Sequence, residues 1–273
     1  MEHTLALSHG TLSWDETGSH RAAITLVLLH GFPHDRGLWS AQLAAAEHAF
    51  PDTRILMPDL PGFGRSSPLP SASMDAYADA LEPMLDAAGV ERAVIGGLSM
   101  GGYVAFAFWR RHAARVRALI LMDTKAPADT EAAREKRRAL IDTVTQDGVG
   151  AVVPDMLPSQ LGATTRSESP AVVERVEVML RRAPASGVVA AVQALMERPD
   201  STPTLGTITV PTLILVGDED TTTPPADAIA MAAGIPGSRL VTVPGAGHLS
   251  PLEQPTVVNA AIGEFLDVAV RRS

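Results

Sequence analysis

The sequence predicts an α/β protein: a mostly parallel, doubly wound sheet interrupted by an all-helical insertion. Three observations carry that prediction. Strand-sized apolar runs recur along the chain, at residues 24–29, 54–57, 93–95, 116–122, 212–216 and 240–243, and several are apolar without alternation, as strands covered on both faces should be. Stretches of helical period separate them, and strands alternating with helices build a parallel sheet. From about Lys125 to Thr207 the strand-like runs stop, and only helical stretches are legible.

Taken in order, residues 4–14 alternate loosely and read as an antiparallel edge strand or hairpin, with Asp15-Glu16-Thr17-Gly18 as a turn. The run Ile24–Leu29 ends at His30-Gly31. Residues 39–50 look helical, and the strand at 54–57 is stopped by Pro58-Asp59-Leu60-Pro61-Gly62-Phe63-Gly64. A helix is expected over 73–88, closed by Gly89, with Pro83 kinking or splitting it. The strand at 93–95 leads through a glycine-rich turn into a helix at 104–109, and the strand at 116–122 closes at Asp123. Within the insertion, Glu131 to Arg138 opens an amphipathic helix, and 172–182 and 187–197 read as two more. After Pro211 the rhythm resumes: strand 212–216, helix 226–233, strand 240–243, helix 257–270. The expected division is therefore a core of residues 1–124 and 208–273, with a helical cap of residues 125–207. Ligands bind at the C-terminal strand ends of such sheets, so an insertion leaving the sheet at Asp123 should cover the site.

Composition narrows the classes. With 273 residues, 46% of them hydrophobic, the chain can bury a substantial core. A net charge of −9 argues against nucleic acid as a partner, since phosphate recognition needs a basic footprint. The absence of cysteine removes disulfides, thiolate metal sites and a cysteine nucleophile. No signal peptide and no membrane-length apolar run is visible, so a cytoplasmic protein without a membrane partner is expected; no feature indicates an oligomeric state.

Gly97-Leu98-Ser99-Met100-Gly101 fits the pattern G-x-S-x-G, and here it stands between a strand and a helix. A serine on so sharp a turn needs small neighbours and is lifted clear of the sheet. The turn also aims the Met100 N–H, at a helix start, toward any oxygen beside Ser99. A serine hydroxyl is a poor nucleophile until an oriented base takes its proton. The chain offers candidates for both remaining roles in loops that follow strands: Gly217-Asp218-Glu219-Asp220 and Pro244-Gly245-Ala246-Gly247-His248. Of eight histidines, His3, His9 and His20 lie in early segments, His48 and His112 on polar helix faces, and His30 beside a glycine that it helps to shape; His248 is the candidate base. Asp220 is the favoured acid, with Asp123 as its competitor, while Asp218 and Glu219 read as solvated or turn-capping groups. A second oxyanion donor should come from His30-Gly31-Phe32-Pro33, where Phe32 has an N–H and Pro33 has none. Candidate substrate contacts are His34, beside that loop, and Met156, Met179 and Met196 in the insertion. Arg134, Lys136, Arg137 and Arg138 could meet a substrate carboxylate, although a charge run on a helix is usually a solvated face.

Together these segments resemble the α/β-hydrolase family over nearly the full length. The matching residues are His30-Gly31-Phe32-Pro33, Asp59 through Ser66, Gly97 through Gly102, Gly217-Asp218-Glu219-Asp220 with Pro224, and Gly247-His248. The resemblance implies the α/β-hydrolase fold and a triad of Ser99, Asp220 and His248. A serine at position 99 departs from the epoxide hydrolase and haloalkane dehalogenase branches. The elbow with its helical cap is similar to 3-oxoadipate enol-lactonases and carboxylic ester hydrolases, which implies a small ester or lactone substrate and no cofactor or metal. The segment from His30 to Trp39 is also similar to cofactor-free perhydrolases (non-haem haloperoxidases). Carbon–carbon hydrolases, or a non-catalytic ligand receptor on the same fold, stand as further alternatives.

Overall fold

The computed structural model describes residues 1–270. Eight strands form one sheet: β1 (Glu2–Leu7), β2 (Gly10–Thr17), β3 (Ile24–Leu29), β4 (Thr53–Pro58), β5 (Ala93–Leu98), β6 (Val116–Met122), β7 (Thr212–Gly217) and β8 (Arg239–Val243). Their spatial order is β1-β2-β4-β3-β5-β6-β7-β8. β2 pairs antiparallel with β1 and β4, and every later pairing is parallel.

Core helices flank the sheet: α1 (Ser40–Ala49), α2 (Met74–Ala87) and α3 (Met100–His112). Between β6 and β7 come only helices: α4 (Glu131–Asp147), α5 (Val153–Gln160), α6 (Ala163–Glu168), α7 (Pro170–Arg181), α8 (Ala185–Glu197) and α9 (Thr202–Leu205). The chain closes with α10 (Pro225–Gly234), α11 (Ser250–Glu253) and α12 (Pro255–Phe265). Among the described residues no helix is long and apolar enough to cross a membrane.

Two apolar layers sandwich the sheet. Ala93 and Ile95 of β5 belong to the layer that holds Tyr77, Leu81, Phe106 and Met231. Val94 and Leu98 belong to the other, with Trp39, Val258, Ile262 and Phe265. Alternate residues of one strand thus enter opposite layers, which is why β5 is apolar at every position rather than every second one. Each buried leucine or isoleucine contributes roughly 1.5–3 kcal/mol by leaving water.

The edge differs from the expectation in one respect. The hairpin turn falls at Ser8-His9, while Asp15, Glu16 and Thr17 remain in β2, paired with Met57, Leu56 and Ile55 of β4. The polar composition that suggested a turn has a tertiary cause: buried Glu16 accepts from Arg54 Nε at 2.8 Å and Nη2 at 3.0 Å. Pro83 does not split α2, which continues to Ala87. The ring removes one N–H from the ladder, but Met84, Leu85 and five earlier residues of the helix are buried in the core, and tertiary packing rather than propensity supplies most helical stability.

The topology creates the site. The strand order reverses at β3, with β4 on one side and β5 on the other. The loops leaving the C-terminal ends of β3 and β5 therefore diverge there, opening a crevice where ligands bind. Gly31-Phe32 follows β3 and Ser99 follows β5.

Candidate active site

Ser99 sits between β5 and α3 with φ +53° and ψ −111°, a backbone that a non-glycine residue adopts only under strain. Its neighbours make the strain possible. A Cβ on Gly97 would lie 2.2 Å from the Gly101 carbonyl oxygen, and one on Gly101 would lie 2.2 Å from that of Leu29. Only glycine permits strand and helix to meet this closely. The elbow is clamped from β6 as well: Ser99 N–H donates to the Met122 carbonyl at 2.9 Å, and Thr124 Oγ1 donates to the Ser99 carbonyl at 2.8 Å.

Ser99 Oγ lies 2.8 Å from His248 Nε2, and His248 Nδ1 lies 2.8 Å from Asp220 Oδ2. The fold closes a separation of 149 residues in the first contact and 28 in the second. Asp220 is fixed in turn: Oδ1 accepts the Thr222 and Thr223 N–H groups at 2.8 and 3.0 Å, and Oδ2 accepts Thr223 Oγ1 at 2.7 Å. A carboxylate with three such donors stays ionised and cannot rotate away from the imidazole. Burial pushes the Asp220 carboxyl up, but the His248 charge and these hydrogen bonds outweigh it and leave it below its ordinary value. Burial pulls His248 down, but the charge and hydrogen bond of Asp220 prevail and raise it.

Asp123, the competing acid, is occupied elsewhere. Its Oδ1 accepts the Gly217 N–H at 2.8 Å and its Oδ2 pairs with Ser250 Oγ at 2.5 Å. Fully buried, it is pushed up to about 8 by burial and by the Asp220 charge. It joins the end of β7, three residues before Asp220, to the turn two residues after His248. Asp218 accepts the Gly245 N–H at 2.8 Å, pinning the loop before His248, and Glu219 accepts the Thr164 N–H and hydroxyl at 2.8 and 2.5 Å, holding the first turn of α6.

A cavity of about 100 Å³ opens beside Ser99 and His248, and Phe32 and Met100 form part of its wall. Neither of their N–H groups donates to an acceptor among the described residues. His30, behind them, is a buried neutral strut: its Nδ1 donates to the Gly31 carbonyl at 3.0 Å, and its Nε2 accepts the Leu60 N–H at 2.9 Å.

The four expected substrate contacts stand outside this cavity. His34 is buried and directed at Gln160, with its Nε2 3.0 Å from Oε1; burial lowers it to about 4. Met179 packs in the apolar layer with Val176 and Leu180 of its own helix. Met156 lies against both layers. Met196 follows Leu195, which does reach the cavity, and one residue turns a helix by about 100°, onto another face. Helical spacing marked an apolar stripe but not which layer it meets. The cavity wall holds instead Tyr103, Lys125, Gln160, Thr222 and Thr223, which sequence reasoning passed over, and Arg137, which it left among the solvated charges. A signal was available for Lys125: it stands two residues after Asp123, at a C-terminal strand end, where ligands gather.

Comparison with known proteins agrees with this architecture. The chain is 26% identical to 3-oxoadipate enol-lactonase 1 of Acinetobacter baylyi over 245 residues, 90% of this chain and 89% of that protein. It superimposes on a thermophilic esterase from Thermogutta terrifontis, malate bound, with a TM-score of 0.92, 40% identity and 99% of each chain covered. The enol-lactonase from Burkholderia xenovorans gives a TM-score of 0.88 at 25% identity, covering 97% of this chain and 100% of that one. The family model for the alpha/beta hydrolase fold matches residues 24–255. The chain is thus an enzyme of the α/β-hydrolase family, resembling its enol-lactonase and esterase branch.

Proposed function

We propose that this protein hydrolyses carboxylic esters or lactones through an acyl-enzyme formed on Ser99. The carrying observation is the unbroken line from Ser99 Oγ to His248 Nε2 and from His248 Nδ1 to Asp220 Oδ2, at 2.8 Å in each step. His248 takes the hydroxyl proton as Ser99 Oγ attacks the carbonyl carbon. Asp220 holds the Nδ1–H tautomer and stabilises the imidazolium that forms. The Phe32 and Met100 N–H groups receive the oxyanion, a contribution on the order of 3–4 kcal/mol per donor in comparable sites. His248 then protonates the departing alkoxide, which in a lactone stays tethered to the acyl group. Water, deprotonated by the same imidazole, releases the acid.

The helices of residues 125–207 act as a cap that bounds the substrate. Relatives named as enol-lactonase and esterase support the ester and lactone reading. The test is covalent labelling. An organophosphonate should give one adduct, mapped by mass spectrometry to Ser99, and should abolish turnover of a p-nitrophenyl ester; folded protein that stays unmodified at Ser99 overturns the proposal.

A further inference from the structure

The cavity beside Ser99 has a charge that the rest of the protein does not. The chain as a whole carries −9, yet among the described residues the walls of this cavity contain Lys125 and Arg137 and no aspartate or glutamate. Arg137 is partly committed: its Nε bonds Asp129 Oδ2, while Arg198 Nη1 takes the other oxygen at 2.7 Å. Arg198 also lies over the Tyr103 ring, 4.3 Å from its centroid. One carboxylate thus serves two guanidinium groups, and the surplus positive charge faces Tyr103 and the cavity.

Lys125 has no such partner. Among the described residues no carboxylate forms an ion pair with it, although it is half-buried. Its position is not accidental to the site, because the preceding residue, Thr124, donates to the Ser99 carbonyl and holds this segment against the elbow. The Tyr103 hydroxyl likewise makes no hydrogen bond to a described residue. Removing an ammonium group partly from water without a counter-ion is unfavourable, and a ligand carrying the missing charge reverses the sign.

Resting on the hydrolase reading above, we infer that the substrate carries a carboxylate that Lys125 binds, assisted by the Tyr103 hydroxyl and the field of Arg137. The preferred substrates are then short aliphatic monoesters or lactones that retain a free acid group. At about 100 Å³, below the roughly 150 Å³ of a cavity that holds benzene, the space beside Ser99 limits the part of the substrate that enters it to a short chain.

The experiment compares monomethyl succinate with dimethyl succinate by pH-stat. Wild type should favour the monoester in kcat/KM. Lys125→Met should lower the monoester-to-diester ratio about thirtyfold, about 2 kcal/mol at 1.36 per decade, and Lys125→Arg should keep most of it. Thermal melting verifies folding, and Lys125→Gln carries the same comparison if Lys125→Met does not fold. A wild-type ratio at or below one, or a ratio changed less than twofold in Lys125→Met, overturns the inference while leaving the hydrolase reading intact. If wild type cleaves neither ester and Ser99 takes no phosphonate, the hydrolase reading fails by itself. Calorimetric binding of succinate then decides the anion site: loss in Lys125→Met supports it, and equal affinity overturns it.

Discussion

Replacing Asp220 with asparagine tests the site at its most informative bond. The Asp220 Oδ1 position accepts two backbone N–H groups, so the introduced amide must place its oxygen there and its NH₂ toward His248 Nδ1. A donor facing Nδ1 selects the imidazole tautomer protonated on Nε2, which can no longer take the Ser99 proton. The charge is lost as well. With charge centres about 4 Å apart and an effective dielectric near 20, the aspartate–imidazolium attraction is about 4 kcal/mol, roughly three decades of rate. Tautomer and charge together should lower kcat on a p-nitrophenyl ester about 10³–10⁴-fold, with KM little changed because the side chain does not reach the cavity. Asp123→Asn keeps an acceptor for the Gly217 N–H, and its NH₂ group faces Ser250 Oγ, whose hydroxyl then accepts where it donated to the carboxylate; it should cost less than about tenfold. If Asp220→Asn retains a tenth of the activity while Asp123→Asn loses a thousandfold, the acid is Asp123 and the reasoning fails.

Other consequences follow from the same geometry. His248 works only when neutral and is raised above 6.5, with the Asp220 charge overcoming burial; kcat/KM should therefore fall as pH drops through a limb lying above that value, and a limb below it would contradict this. Asp123 ionises at about 8 in the folded protein against an ordinary 3.8. The native state keeps a proton that the unfolded chain releases, so stability declines as pH rises between those values. The Tm gain of Asp123→Asn over wild type should grow from pH 5 to pH 8, and parallel Tm curves would refute it. Gly97→Ala drives a Cβ to 2.2 Å from the Gly101 carbonyl oxygen. Forcing β5 and α3 apart should cost about 3 kcal/mol, a Tm loss of about 6–12 °C by calorimetry; a loss under 2 °C would mean that the turn has slack.

Legibility in the sequence followed the range of the forces involved. The strands were readable because a strand buried on both faces has no polar alternation, as Ile24–Leu29 and Val116–Met122 display. The elbow was readable because its steric demand is met by glycines two residues to either side of Ser99. Asp15-Glu16-Thr17 was misread as a turn because the partner that keeps Glu16 in a strand, Arg54, is 38 residues away. The short helices α5, α6, α9 and α11 were not distinguished, since four to eight residues carry too little periodicity.

The elbow from Ala93 to Tyr103 was thus determined locally, by the apolar strand before it and by glycine at each point where a Cβ would strike backbone. Which acid faces His248 was not. Four carboxylates sit at the ends of β6 and β7, and only the sheet, by pairing Met122 with Leu215 and Gly217 with Val243, brings Asp220 to the imidazole and turns Asp123 toward Ser250. The character of the cavity was likewise decided in three dimensions. Lys125 and Arg137 are ordinary cations in the sequence, and they become a site because the folded chain gathers them beside Ser99 and supplies Asp129 to Arg137 but, among the described residues, no ion-pair partner to Lys125.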